Sequence, residues 1–106
     1  MSENTKTGLG IAEIIGDKRE VVLELARKHG AFNVRVFGSV ARGEARSDSD
    51  VDFVMDFVEK TSIFDGSDLW WDLQELLGRE VDPISDGALE RKPHWAEEIR
   101  QDAVTL

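Results

Sequence analysis

The chain has 106 residues, which is room for one domain with one core and one site, and its 41% hydrophobic content suffices to build that core. Twenty-two acidic residues against 13 basic ones leave a net charge of −9, which argues against an unaided nucleic-acid binder and favours a metal-bound anion or a basic protein as partner. With no cysteine there are no disulfides or thiolate zinc sites, two distant histidines make no zinc site, and no apolar run approaches a membrane span, so a cytoplasmic protein is expected.

Residues 1–8 are polar, without a signal-peptide core, and read as a flexible tail ahead of a single domain over residues 9–106. Ile11, Ile14, Ile15, Val22, Leu25 and Ala26 then form one helical stripe, interrupted at Gly16-Asp17. Asp17 followed by Glu20 resembles a capping box, so a short helix and a second one from Lys18 are expected, with Gly30 closing the second. Phe32 to Phe37 alternates as a strand, Val34 and Val36 facing one way and Arg35 and Phe37 the other. It runs into Gly38-Ser39, a sharp stop, and Val40 to Ala45 suits a short helical turn.

Ser47 to Asp50 is loop chemistry, with side chains that bond their own backbone. Val51 to Val58 predicts a second strand, with Val51, Phe53, Met55 and Phe57 on one face and Asp52, Val54 and Asp56 on the other. A loop over Glu59 to Gly66 leads to Ser67 as the N-cap of a helix ending at Leu77 and closed by Gly78. Leu69, Leu73, Leu76 and Leu77 make its buried stripe; Trp70 lies at the margin, and Trp71 points away, where it suits contact with a partner. Glu80 to Ile84 is a third strand whose Pro83 suggests an edge or a strand end. Pro93 begins a last helix through Arg100 with Trp95 and Ile99 inward, and Ala103 to Leu106 either closes as a strand or trails off. The succession predicts an α/β fold, a small mixed β-sheet flanked by helices.

Chemistry concentrates in Gly38-Ser39 and, ten residues on, Asp50-Val51-Asp52. Side chains two apart on a strand share a face, so Asp50 and Asp52 point together and repel unless a cation lies between them. Oxygen ligands on a rigid strand suit Mg²⁺, which takes one or two carboxylates plus substrate phosphates. Gly38 lets a phosphate approach closely, Ser39 adds a hydroxyl, and the turn that follows offers N–H groups to an anion. Arg42, one turn later, either adds a charged fork to the same phosphate or serves as a surface ion-pair residue. Asp82 is the candidate third acid, for a metal and for the nucleophile's proton, with a plain strand-end role as the alternative. Gly38-Ser39 alone would be an ordinary turn; its coupling to the Asp pair is what gives it meaning.

At Val36-Phe37-Gly38-Ser39-Val40-Ala41-Arg42-Gly43-Glu44 and Ser49-Asp50-Val51-Asp52-Phe53 the sequence resembles the minimal nucleotidyltransferases of the DNA polymerase β-like superfamily. It is most similar to the MntA-type antitoxins of HEPN/MNT toxin–antitoxin pairs. The resemblance implies that Asp50, Asp52 and Asp82 are catalytic and bind magnesium. It implies nucleotide contacts by Gly38 and Ser39, with Arg42 and Ser49 beside them. It further implies ATP as donor and, as acceptor, a tyrosine on a basic HEPN-domain ribonuclease held in a hetero-oligomer, without direct nucleic-acid or membrane contact. Two alternatives remain at this stage: neutralisation of the partner by binding alone, and transfer to a small molecule such as an aminoglycoside.

Overall fold

A computed structural model describes residues 8–106 apart from Glu90 and Lys92. Helix α1 (Ile11–Ile14) and a 3₁₀ turn (Gly16–Lys18) lead into α2 (Arg19–Lys28), followed by β1 (Ala31–Phe37), α3 (Gly38–Arg42) and β2 (Val51–Phe57). Then come α4 (Ile63–Leu77), β3 (Val81–Ser85), α5 (Asp86–Leu89), α6 (Pro93–Asp102) and β4 (Val104–Thr105). The sheet order is β3-β2-β1-β4. β1 runs antiparallel to β2 and to β4, whereas β2 and β3 are parallel, so the sheet is mixed as expected.

Both faces of the sheet are covered, which the two-sided apolar pattern of β2 requires. Val34 and Val36 of β1 and Val51, Phe53 and Met55 of β2 pack with Ile14, Val22, Leu69 and Leu73 from α1, α2 and α4 and with Ile15 just after α1. On the opposite face Phe37 and Val54 meet Ala96 and Ile99 of α6. Asp52 alternates with Phe53 and therefore belongs to the α6 face, the side on which the helical cover is thinner.

Several boundaries differ from expectation for local reasons. Asp17 and Glu20 make no capping box: Asp17 is inside the 3₁₀ turn, α2 has no side-chain cap, and Glu20 pairs with Arg19 at 3.5 Å. β1 carries a bulge between Phe32 and Arg35, with Asn33 at φ 53° and its side-chain N–H donating to Asp56 at 3.0 Å. α4 begins one turn before Ser67. Ser62 is the cap: its hydroxyl accepts from the Asp65 N–H at 3.3 Å while the Asp65 carboxylate accepts from the Ser62 N–H at 3.2 Å. The reciprocal pair outweighs Gly66 in the helix interior, a cost of roughly 1 kcal/mol relative to alanine. Helix α5, unanticipated, fills the span after β3.

Of the tail expected over residues 1–8, only Gly8 is among the described residues; its N–H donates to the Gly43 carbonyl at 3.0 Å. Trp95, expected inward, lies outside the described side chains. No helix among the described residues is long and apolar enough to cross a membrane.

Candidate active site

β1 ends at Phe37, which stands opposite Asp52 in the antiparallel register, so the Gly38 turn follows directly beside the Asp52 side chain. Gly38 adopts φ 77°, the left-handed region that favours glycine. A β-carbon there would lie 2.5 Å from Asp52 Oδ2. The carboxylate thus occupies the space a side chain at position 38 would fill, and the turn faces the acid. Ser39 follows in the first turn of α3, whose N-terminus has no side-chain cap. Its leading N–H groups therefore suit an anion.

Asp82 stands opposite Asp52 in the parallel register of β2 and β3. Residues in register on neighbouring strands share a face at roughly 5 Å spacing, so the two carboxylates project together. Pro83 leaves this register intact. Backbone groups alternate along a strand, and with Glu80 bonded to β2 and Val81 bonded away from it, the missing N–H of Pro83 falls on the open edge. Asp50, two residues before Asp52, is exposed.

The charges of Asp82 and Asp50 both reach Asp52. Its pKa is raised from 3.8 to about 6, first by burial, then by the charges of Asp82 and Asp50, with Arg42 acting in the opposite sense. The donor set is hard oxygen on one face, with surplus negative charge and a glycine cradle beside it, and this fits a divalent cation carrying phosphates. Among the described residues no three His, Cys, Asp or Glu side chains come together as a group that could hold a metal ion. Mg²⁺ does not require such a group, since it keeps several waters and takes few carboxylates.

Arg42 and Ser49 are placed less directly. The Arg42 guanidinium donates to Glu44 at 3.0 Å and to Asp102 of α6 at 2.6 Å, and both contacts raise its pKa. It lines a cleft of about 170 Å³ with Gly38, Glu98 and Asp102, so it stands near the cradle with its fork committed to α6. The Ser49 hydroxyl accepts from the Arg46 N–H at 2.8 Å and closes the loop that delivers Asp50.

Arg79 adds a support the sequence did not suggest, donating to the carbonyls of Arg46 and Ser49 at 3.2 and 3.1 Å. It lies 33 and 30 positions from those two carbonyls, and no local pattern marks it. A larger cleft, about 530 Å³, runs between α4 and the sheet edge and is lined by Phe57, Val58, Trp70 and Pro83. None of the three acids lines it.

The glycine turn, Asp50, Asp52 and Asp82 all lie within one stretch that matches a known family. Residues 18–106 match the family described as nucleotidyltransferase domain. The chain belongs to it.

This nucleotidyltransferase is 32% identical over 92 residues to MJ0435 of Methanocaldococcus jannaschii, a candidate protein adenylyltransferase, covering 87% of this chain and 97% of that protein. It is 42% identical over 66 residues to the protein adenylyltransferase MntA of Thermococcus cleftensis, covering 62% of this chain and 67% of that protein. A solved candidate minimal nucleotidyltransferase superposes with a TM-score of 0.79 at 40% identity, covering 99% of this chain and 100% of that one. A chain from a toxin–antitoxin structure with AMP-PNP shares the fold at a TM-score of 0.69 and 16% identity, covering 81% of this chain and 69% of that one.

Proposed function

We propose that this nucleotidyltransferase is a cytoplasmic antitoxin that transfers AMP from ATP to a tyrosine of a basic HEPN-domain ribonuclease partner and so silences it. The observation that carries the reading is the contact of Asp52 with the Gly38 turn, with Asp82 in register beside it. Such an arrangement would seat a phosphate next to paired acids. The 42%-identical relative is named for protein adenylyl transfer, and a chain of the same fold comes from a toxin–antitoxin pair.

Gly38 and Ser39 would hold the triphosphate against the uncapped start of α3. Asp50, Asp52 and Asp82 would hold magnesium, which when bound offsets the negative charge of the phosphates and of the departing pyrophosphate. The tyrosine oxygen attacks the α-phosphorus in line, the bond to the β-phosphate oxygen breaks, and pyrophosphate leaves. Asp82 accepts the phenol proton. Most of the acceleration comes from holding and neutralising charge, because the protein forms no covalent intermediate.

The partner surface is proposed on α4. Phe64 is 76% exposed and Trp71 56% exposed, two helical turns apart on one face. Asp65, Asp68, Asp72 and Glu75 surround them with no basic residue in the helix, which matches a basic partner and repels a second copy of this chain. These exposed aromatics also suit neutralisation by binding alone.

Incubation with α-labelled ATP, Mg²⁺ and the co-expressed partner separates the readings. Label on the partner's tyrosine, lost in Asp52→Asn, is the expected result. Stable complex formation without label under Mg²⁺ or Mn²⁺ would leave occlusion in its place, and label on an added aminoglycoside would indicate a small-molecule acceptor.

A further inference from the structure

We infer that Trp70 and Gln74 are positioning residues for Asp82, acting through the backbone of Val81; the inference rests on the nucleotidyl-transfer reading above. β3 is an edge strand, five residues long with a proline at its centre. Such a strand has one row of backbone groups without a neighbouring strand. Asp52 and Asp82 face each other across the β2–β3 pair, and their mutual repulsion acts to push that edge outward.

Val81, immediately before Asp82, is where the edge is held. Its N–H donates to Gln74 Oε1 at 3.2 Å, and its carbonyl accepts from the Trp70 indole N–H at 2.8 Å. The two side chains are four residues apart on α4, so one rigid helix grips both groups of one peptide residue. From the other side the Glu80 carbonyl accepts from the N–H of Val51, the residue between Asp50 and Asp52. Among the described residues, no other side-chain hydrogen bond reaches the β3 backbone. Trp70 is 38% exposed, so its indole is not simply core filling. The clamp thus fixes β3 laterally at the point from which Asp82 projects, and the distance from Asp82 to Asp52 follows from it.

Trp70→Phe keeps an aromatic ring and removes the donor; Gln74→Met keeps the length and removes the acceptor. Each variant is expected to lower kcat for Mg²⁺-dependent transfer from ATP about tenfold, the range seen when supports of a metal site are lost, while KM for ATP stays within about twofold. In an Asp82→Asn background neither should lower the residual single-turnover rate further. A second readout needs no turnover: Mn²⁺ titration followed by paramagnetic broadening of the Asp82 amide signal. Either variant should raise the half-saturating Mn²⁺ concentration several-fold.

If wild type transfers no nucleotide, the functional reading fails and the Mn²⁺ titration alone decides the clamp. Should Trp70→Phe not fold, Gln74→Met carries the same test. Folded variants with unchanged Mn²⁺ titration, or with equal losses in the Asp82→Asn background, would overturn the proposal.

Discussion

Replacing Asp52 with asparagine should stabilise the fold at neutral pH while abolishing transfer. In the wild type the carboxyl titrates at about 6 instead of 3.8 because it is half-buried beside Asp82 and Asp50. The folded state therefore binds this proton more tightly than the unfolded chain does. Above about pH 6 the folded form carries an unwelcome charge and is penalised; as pH falls toward 4 the penalty disappears. The full shift corresponds to roughly 3 kcal/mol at about 1.4 kcal/mol per unit. Partial solvent screening reduces this to about 1–2 kcal/mol. For a domain of this size that raises the melting temperature by roughly 5–10 °C.

Thermal melts of both proteins at pH 7.5 and pH 4 measure it directly. The asparagine variant should melt higher at pH 7.5, with the gap closing at pH 4, and show no label transfer. A variant that is less stable at pH 7.5, or a gap that is the same at both pH values, would refute the electrostatic account of the site.

Gly38→Ala should cost about 1–2 kcal/mol in urea unfolding and eliminate transfer, because it combines a left-handed φ with a clash on the Asp52 carboxylate. Part of that cost should vanish in an Asp52→Ala background, where the clashing oxygen is gone. Arg42→Gln should change stability by less than about 1 kcal/mol, since both its ion pairs are largely exposed. It should also move the Asp52 titration, followed by carboxyl-carbon NMR, further upward; a downward move would contradict the placement of Arg42. Phe64→Ala with Trp71→Ala should leave urea unfolding within about 0.5 kcal/mol per site and weaken partner binding at least about tenfold by calorimetry. Undiminished binding would move the partner surface elsewhere.

Much of this molecule was readable in order along the chain because the governing physics is local. Alternation in Val51 to Phe57 and the leucine spacing over Leu69 to Leu77 encode a strand and a helix through their own periods. Gly30, Gly38 and Gly78 announce turns because their left-handed backbone suits no other residue as well. The spacing of Gly38-Ser39 and Asp50-Val51-Asp52 is local too, although β2 begins at Val51 and Asp50 lies just before the strand, so the two-residue period of a strand does not itself place Asp50. The start of α4 was misplaced because its cap is a reciprocal pair, Ser62 with Asp65, followed by a glycine that reads as a break.

What tertiary structure alone decided is whatever depends on residues distant in the chain. Asp82 stands beside Asp52 because β3 crosses back to lie parallel to β2 in that register, and the residues between them carry no local trace of it. Arg42 is turned toward Asp102, sixty positions away, and the Val81 backbone is gripped by Trp70 and Gln74 from a helix. Local periods and turns specify each element cheaply and independently. Registers and side-chain partners across the sheet arise only when those elements meet, and there the raised pKa of Asp52 originates.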